Sequence, residues 1–352
     1  MNLKHFNFKE GVLYSEDSNL LELSNSLETP FYVYSAETIR ENCRSYKAGL
    51  SSSDLACYAV KANSNLSILS LIKDEGLGFD VVSGGELKRV LKIGADPKKI
   101  VFSGVGKSKE ELKLACDNEI FSINVESEYE LELLEELNKT PRISFRINPD
   151  IAAESHPYIE TGKADCKFGI SEDEALTLAK KYGTEKIKLV GVSAHIGSQI
   201  TNTDLLVEAY EKLENLADQL VALGFEIDHI DVGGGLAIDY ELEKNFSPDE
   251  LIKKLKKFSS KYDLTLEPGR SIVAQAGVLI TKVLGIKENG SQKFLIVDAG
   301  MNDLIRPSLY SARHKIDNLM ESSEKKDLYS VVGPVCETAD SFGSDFEVSA
   351  NA

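Results

Sequence analysis

The chain has no apolar run that approaches the length of a membrane span, no run of basic residues, and no cysteine pair at metal-ligand spacing. The first absence argues against a membrane protein, because a spanning helix takes about 20 apolar residues. The second, with a formal net charge of −17, argues against nucleic acid or an anionic membrane as a partner. Any anionic substrate must therefore be met by local arginines. Cys43, Cys57, Cys116, Cys166 and Cys336 are scattered and odd in number, which fits a reducing compartment better than a disulfide framework. No metal site is read from them. Met1 to Glu10 is polar and carries no apolar signal region, so a cytoplasmic location is expected. No repeat at solenoid spacing and no low-complexity tract is present.

What is present is an ordinary globular composition, 42% hydrophobic and 28% charged, in 352 residues, which suits one large domain and a smaller one. After Thr29-Pro30 a short β-type run covers Phe31 to Tyr34. From Leu55 a rhythm sets in, with strand candidates at Leu55–Val60, Gly78–Ser83, Lys99–Ser103, Phe121–Val125, Arg142–Asn148, Leu189–Ile196, His229–Val232 and Leu264–Glu267. Amphipathic segments lie between them, near Leu66–Glu75, Gly85–Ile93, Ser108–Asn118, Ser127–Asn138, Ser171–Tyr182, Thr203–Leu223 and Ser247–Lys261. Ser127 followed three residues later by Glu130 predicts a capping box. Alternating strands and helices in this number predict a (β/α)8 TIM barrel. A doubly wound sheet fits less well, since no glycine-rich turn follows the first strand, which ends at Lys61. After Arg270 the pattern turns to β-type runs at Val278–Ile286, Lys293–Asp298 and Leu328–Cys336. The expected organisation is a barrel over 30–275, with 1–29 and 276–352 forming a β-rich second domain.

In such a barrel, chemistry gathers at the C-terminal ends of the strands. Lys61 closes a buried run, where desolvation would favour a neutral, nucleophilic amine able to form a Schiff base with a carbonyl compound. A strand-end lysine that simply reaches solvent is the competing reading. The sixth strand ends in Ala194-His195-Ile196-Gly197-Ser198-Gln199, and His195 there can be a base, a ligand, a flat ring against a planar cofactor, or a structural histidine. The seventh ends in Gly233-Gly234-Gly235, whose entropic cost implies close approach of the backbone to something, either a phosphate or a tight turn. The eighth ends in Glu267-Pro268-Gly269-Arg270. Glu267 could hold a ring nitrogen protonated, and Arg270 offers a fork for phosphate or carboxylate, unless the two form a buried structural pair. In the β-rich part, Arg306 and Tyr310 flank Pro307, and Cys336-Glu337 follow a Gly-Pro turn. A lone cysteine is more often a small buried hydrophobe than a proton donor.

Tyr58 to Asn63, Gly78 to Glu86, His195 to Gln199, Gly233 to Gly235, Glu267 to Arg270, and Cys336-Glu337 follow one another in the order seen in fold type III pyridoxal-phosphate decarboxylases. The chain resembles that family over essentially its whole length. The segment His156 to Lys163 with Lys167-Phe168-Gly169 resembles the branch acting on diaminopimelate more than the ornithine or arginine branches. The resemblance implies pyridoxal 5'-phosphate held by Lys61, with His195 against the ring face. It places the phosphate on Ser198, Gly234, Gly235 and the Glu267, Pro268, Gly269, Arg270 turn, with Glu267 also at the ring nitrogen. Arg270, Arg306 and Tyr310 would bind an amino-acid substrate, Cys336 would donate a proton, and Glu337 would recognise a distal ammonium. It further implies a homodimer with shared sites and the decarboxylation of meso-2,6-diaminopimelate to lysine. A decarboxylase for arginine, ornithine or carboxynorspermidine is the alternative. Family members also continue past a position like Ala352, so an incomplete β-rich domain is expected, with an inactive regulatory homologue as a further alternative.

Overall fold

The structure, a computed structural model, describes residues 3–151, 166–241, 246–258, 261–321 and 326–349. The chain divides into two compact units, one of Ile39–Ile238 with Phe246–Val273 and the other of Met1–Thr38, Asp239–Asn245 and Ala274–Ala352. Among the described residues no helix is long and apolar enough to cross a membrane.

The first unit is a closed barrel of eight parallel strands, Leu55–Ala59, Gly78–Val81, Ile100–Phe102, Ser122–Val125, Arg142–Arg146, Lys188–Ser193, His229–Asp231 and Asp263–Leu266. Strands buried on both faces must be apolar almost continuously. Cys57, Tyr58, Phe79, Val81, Ile100, Phe102, Ile123 and Phe145 are accordingly at most 1% exposed. All eight expected strands form, each within three residues of its expected ends. Helices Leu66–Asp74, Gly84–Lys92, Lys109–Asp117, Glu128–Glu136, Glu172–Lys186, Asp204–Ala222 and Pro248–Phe258 alternate with them. Asn65, Ser83, Ser108 and Ser171 cap their helices by accepting backbone N–H groups.

The capping box expected at Ser127 does not form, and Ser108 with Glu111 makes one instead. The reason is competition. Glu130 is buried, and its carboxylate accepts from Lys107 Nζ at 3.1 Å and from the Glu126 N–H at 2.9 Å. An ammonium that cannot reach water needs the carboxylate more than an exposed N–H does.

The barrel closes where Leu55 pairs with Thr265 and Ala56 with Leu266. Just before this seam lies buried Asp54, which accepts from the Leu264 N–H at 2.8 Å, from the N–H and Oγ of Ser51 at 2.7 Å each, and from Lys256 Nζ at 2.7 Å. Burial opposes the charge, but the hydrogen bonds from Lys256, Leu264 and Ser51 win and hold the carboxyl below its ordinary value. The stability this gives is fully present above the unfolded carboxyl pKa and is lost as pH falls through the lower folded value. Asp54→Ala should cost about 2–4 kcal/mol, since it strands Leu264 N–H and the Lys256 ammonium together. Urea unfolding at pH 7 checks this, and a loss under about 1 kcal/mol would show that water replaces the carboxylate.

In the second unit, strands Val283–Asn289, Gln292–Val297, Asp327–Val332 and Ser341–Val348 form one sheet in that order, with the two central strands parallel. Leu295, Val297, Tyr329, Val331, Phe342 and Phe346 build its core. Phe31–Tyr34 pairs antiparallel with Gly277–Ile280, and Phe6–Lys9, Val12–Ser15 and Ser18–Asn19 make a small separate sheet. The single expected run Val278–Ile286 is thus two strands in two sheets.

Candidate active site

Strand ends and the turns after them bring Lys61, His195, the glycine run and the Glu267–Arg270 turn to one end of the barrel. The first strand gives way to a single turn, Val60–Ala62, that carries Lys61. Tyr58 Oη donates to the Asn63 carbonyl at 3.1 Å, and Asn63 Oδ1 accepts the Asn65 N–H at 3.0 Å, so the Asn-Ser-Asn stretch fixes the exit from this turn. The Ala59 N–H donates to the Pro268 carbonyl at 2.9 Å. A Cβ on Gly269 would lie 3.1 Å from Ala59 Cβ and 3.3 Å from Ala62 Cβ, which is why a glycine lets the eighth strand's turn close against the Lys61 turn.

Lys61 itself is exposed. The desolvation argued from the sequence is therefore not supplied by burial within the protein, because the turn lifts the residue off the end of the buried strand. What surrounds it is charge: the lysine acts electrostatically on Asp80, Glu86, Glu267 and His195.

The three glycines make their close approach to protein. A Cβ on Gly234 would meet the Glu267 carbonyl at 2.2 Å, and one on Gly235, whose φ is +102°, would meet the Gly197 carbonyl at 2.2 Å. Glu267 N–H donates to the Gly233 carbonyl at 2.8 Å, and Ile200 N–H to the Gly235 carbonyl at 2.9 Å. The run zips the sixth, seventh and eighth strand ends together. Gln199 adds a clamp, donating from Nε2 to the Ile238 carbonyl at 2.9 Å and accepting the Ile238 N–H at 3.0 Å. Ser198 sits half-buried between Gly197 and this clamp.

His195 Nδ1 accepts the Gly234 N–H at 3.3 Å. Burial first, and then the positive charges of Lys61 and Arg146, hold this imidazole well below its ordinary pKa, so the ring is neutral. Glu267 is 9% exposed and takes Ser103 Oγ at 3.2 Å and Asn124 Nδ2 at 3.5 Å. Asp231 Oδ1 accepts the Gly233 N–H at 2.8 Å, and its carboxyl acts on that of Glu267. Burial, then the charges of Asp231 and Asp80, push the Glu267 carboxyl well above the usual range. Burial likewise raises Asp80 and Asp231. Arg270 Nη1 is buried with no hydrogen-bond partner.

Several residues of this constellation escaped the sequence reading. Asp80 and Asp231 lie in the barrel interior, 0% and 1% exposed. Arg146, at the end of the fifth strand, donates to Glu126 at 2.7 Å, and Glu126 also takes the N–H groups of Gly104 at 2.6 Å and Gly169 at 3.2 Å. The signal available was a charge inside an apolar strand: Phe79-Asp80-Val81, Ile230-Asp231-Val232 and Phe145-Arg146-Ile147. Phe168 packs under Arg146, 4.8 Å from ring centre to guanidinium carbon. The preceding family-like segment, His156 to Lys163, lies outside the described residues.

In the second unit, Arg306 and Tyr310 lie on a short helix, Arg306–Tyr310, and Cys336 and Glu337 on an exposed loop. Ser308 Oγ joins the two by donating to the Ala339 carbonyl at 2.6 Å. Buried Asp340 shapes the loop, accepting the N–H groups of Val335 at 2.7 Å and Met301 at 2.6 Å. A Cβ on Gly333 would fall 2.4 Å from its carboxylate, so the Gly-Pro turn is required there.

An exposed amine, a neutral imidazole, a proton-holding carboxyl and an unmet guanidinium nitrogen suit an anionic aromatic aldehyde. Comparisons with known proteins agree. Residues 36–274 match the family model of the pyridoxal-dependent decarboxylases, pyridoxal binding domain. That defines the class as a barrel-and-sheet decarboxylase that uses pyridoxal phosphate. Diaminopimelate decarboxylase of Aquifex aeolicus is 44% identical, over 98% of this chain and 85% of that protein. The solved structure of diaminopimelate decarboxylase from Helicobacter pylori complexed with L-lysine has a TM-score of 0.88 at 43% identity, covering 93% of this chain and 84% of that one. The enzyme from M. jannaschii in co-complex with L-lysine has a TM-score of 0.90 at 36% identity, covering 98% and 84%. The chain belongs to the diaminopimelate decarboxylase family.

Proposed function

We propose that this chain decarboxylates meso-2,6-diaminopimelate to L-lysine and carbon dioxide with pyridoxal phosphate, the last step of lysine synthesis, as a cytoplasmic homodimer with shared sites. The observation that carries the reading is the placing of Lys61 and buried Glu267 just past the ends of two paired neighbouring strands, in a chain 44% identical to a diaminopimelate decarboxylase. Five free cysteines accord with a reducing compartment.

When bound, pyridoxal phosphate supplies an aldehyde that takes up amines and a ring that accepts the electron pair left by a departing carboxylate. Lys61 provides the amine that holds the aldehyde between turnovers and discharges the product. Glu267, whose carboxyl is raised well above the usual range, would meet the ring nitrogen and share a proton there. His195, kept neutral by burial and by the charges of Lys61 and Arg146, would add no positive charge beside the ring. Arg270, Ser198, Gly234, Gly235 and the Pro268-Gly269 backbone receive the phosphate, and the unmet Arg270 Nη1 supports this assignment. Arg306 and Tyr310 would bind the substrate's far carboxylate, and Glu337 its far ammonium. Cys336, exposed on its loop, donates the proton that replaces carbon dioxide at Cα.

Carbon dioxide release from meso-diaminopimelate, L-lysine, L-ornithine and L-arginine, each with pyridoxal phosphate, tests the reading. A kcat/KM at least about a hundredfold higher for diaminopimelate is expected, because a site built for two charged ends penalises substrates that lack one. Best turnover on any of the three basic amino acids would overturn it.

A further inference from the structure

Arg306 is held from three sides within its own unit. Its guanidinium carbon lies 4.5 Å from the centre of the Tyr240 ring and 5.9 Å from that of Tyr310. Its Nη1 is 3.1 Å from His314 Nε2. Tyr240 and His314 pack on each other as well, ring centres 4.3 Å apart and tilted by 53°. The backbone explains how the histidine returns to the arginine: Ser311 adopts φ 52°, and the Ala312 N–H bonds back to the Arg306 carbonyl at 3.4 Å, reversing the chain after one helical turn.

An arginine can only donate, so in this contact His314 Nε2 accepts and carries no proton. A guanidinium has five N–H donors in a rigid plane. Committing one of them to a fixed imidazole, and one face to a fixed ring, sets which edge remains for a carboxylate. Ordering a long side chain before the ligand arrives also removes a conformational cost from binding.

We propose that Tyr240 and His314 are positioning residues that fix the Arg306 fork for the substrate's second carboxylate and so set selectivity for a dicarboxylic diamino acid. The inference rests on the reading above that Arg306 meets that carboxylate. The clamp acts through Arg306, so its loss should appear in binding of the far end of the substrate.

His314→Leu removes the acceptor at similar bulk, and Tyr240→Leu removes the ring face. Each should raise KM for meso-diaminopimelate about tenfold while kcat falls far less, the pattern of a lost contact that is equal in ground and transition states. Turnover of L-lysine in the panel above, expected at least about a hundredfold less efficient, should keep its KM because this substrate has no second carboxylate, so the preference between the two substrates drops about tenfold. His314→Gln, whose Oε1 can accept from Arg306, and Tyr240→Phe, which keeps the ring, should restore most of it. Equilibrium titration of meso-diaminopimelate into Lys61→Ala protein, with and without His314→Leu, reads the same weakening without turnover. A merely structural role would instead lower the melting temperature and impair both substrates alike. KM for diaminopimelate within about twofold of wild type in both leucine variants overturns the proposal, and so does equal damage to both substrates. A wild-type chain that does not decarboxylate diaminopimelate fails the underlying reading first, before any variant is made.

Discussion

Replacing Lys61 by alanine lowers kcat at least about a thousandfold and removes the visible absorption of protein mixed with pyridoxal phosphate, while the chain stays folded. The two halves of this expectation come from different observations. Activity depends on Lys61 because it is the amine on the first strand's exit turn, beside Glu267 and His195 in the electrostatics of the site. Stability does not depend on it, because the side chain is exposed and the turn is held by Tyr58, Asn63 and the Ala59–Pro268 backbone bond. An exposed substitution away from packed groups changes stability by within about 0.5 kcal/mol. Stopped-flow assay, absorbance between 300 and 500 nm (roughly the range of such adducts) and a melting curve on one preparation check all three. A variant that keeps a tenth of the wild-type rate would move the anchoring role away from Lys61.

The barrel was legible because each of its strands is an apolar run broken by Gly, Ser, Asn or Asp, and burial on both faces leaves little room for other patterns. Ends were less so. Arg142–Asn148 shortens to Arg142–Arg146 because Ile147 makes the last ladder bond, to Ser193, and Asn148 turns away to bond Ile170, and the sixth strand stops at Ser193 rather than Ile196 because Ala194 onward turns into the loop that holds His195. Ser341–Val348 went unread. Its inward residues Phe342, Phe346 and Val348 do not alternate evenly, since Gly343 and Asp345 both take positive φ and distort the strand. In the site, the residues that lie on strand-end motifs were legible. Those whose role depends on a neighbour far away in sequence were not: Asp231 matters through Glu267, Glu130 through Lys107, and His314 through Arg306. Nothing local in Ser127-Glu128-Tyr129-Glu130 says that a lysine 23 positions back, buried beside Asn124, will claim the glutamate.

Glu267→Gln separates what the site does from what it costs. Activity on diaminopimelate should fall about a hundredfold or more, because an amide cannot hold and share the proton that the ring nitrogen requires. Stability should move the other way. Asp80, Asp231 and Glu267 are three buried carboxyls; burial raises each of them, and the charges of Asp231 and Asp80 raise Glu267 further. A carboxyl whose folded pKa is raised binds its proton more tightly in the folded chain than in the unfolded one. Its linkage therefore favours folding at low pH and takes stability away as pH rises from the unfolded value, about 4.3 for a glutamate, up to the raised folded value. Removing Glu267 deletes the group that is raised well above its ordinary value. The variant should thus lose less stability than wild type between pH 5 and pH 8 (roughly the window in which raised carboxyls titrate), and at the upper end should match or exceed it. The substituted amide keeps the volume, and its oxygen can still accept from Ser103 and Asn124, so no cavity obscures the comparison. Urea midpoints across that range, taken without and with pyridoxal phosphate, decide it. Added cofactor should also raise the wild-type midpoints, since it binds the folded chain and not the unfolded one. Parallel pH profiles for the two proteins would mean that Asp80 and Asp231 carry the linkage by themselves. The proton would then have to be placed on Asp231 rather than on Glu267.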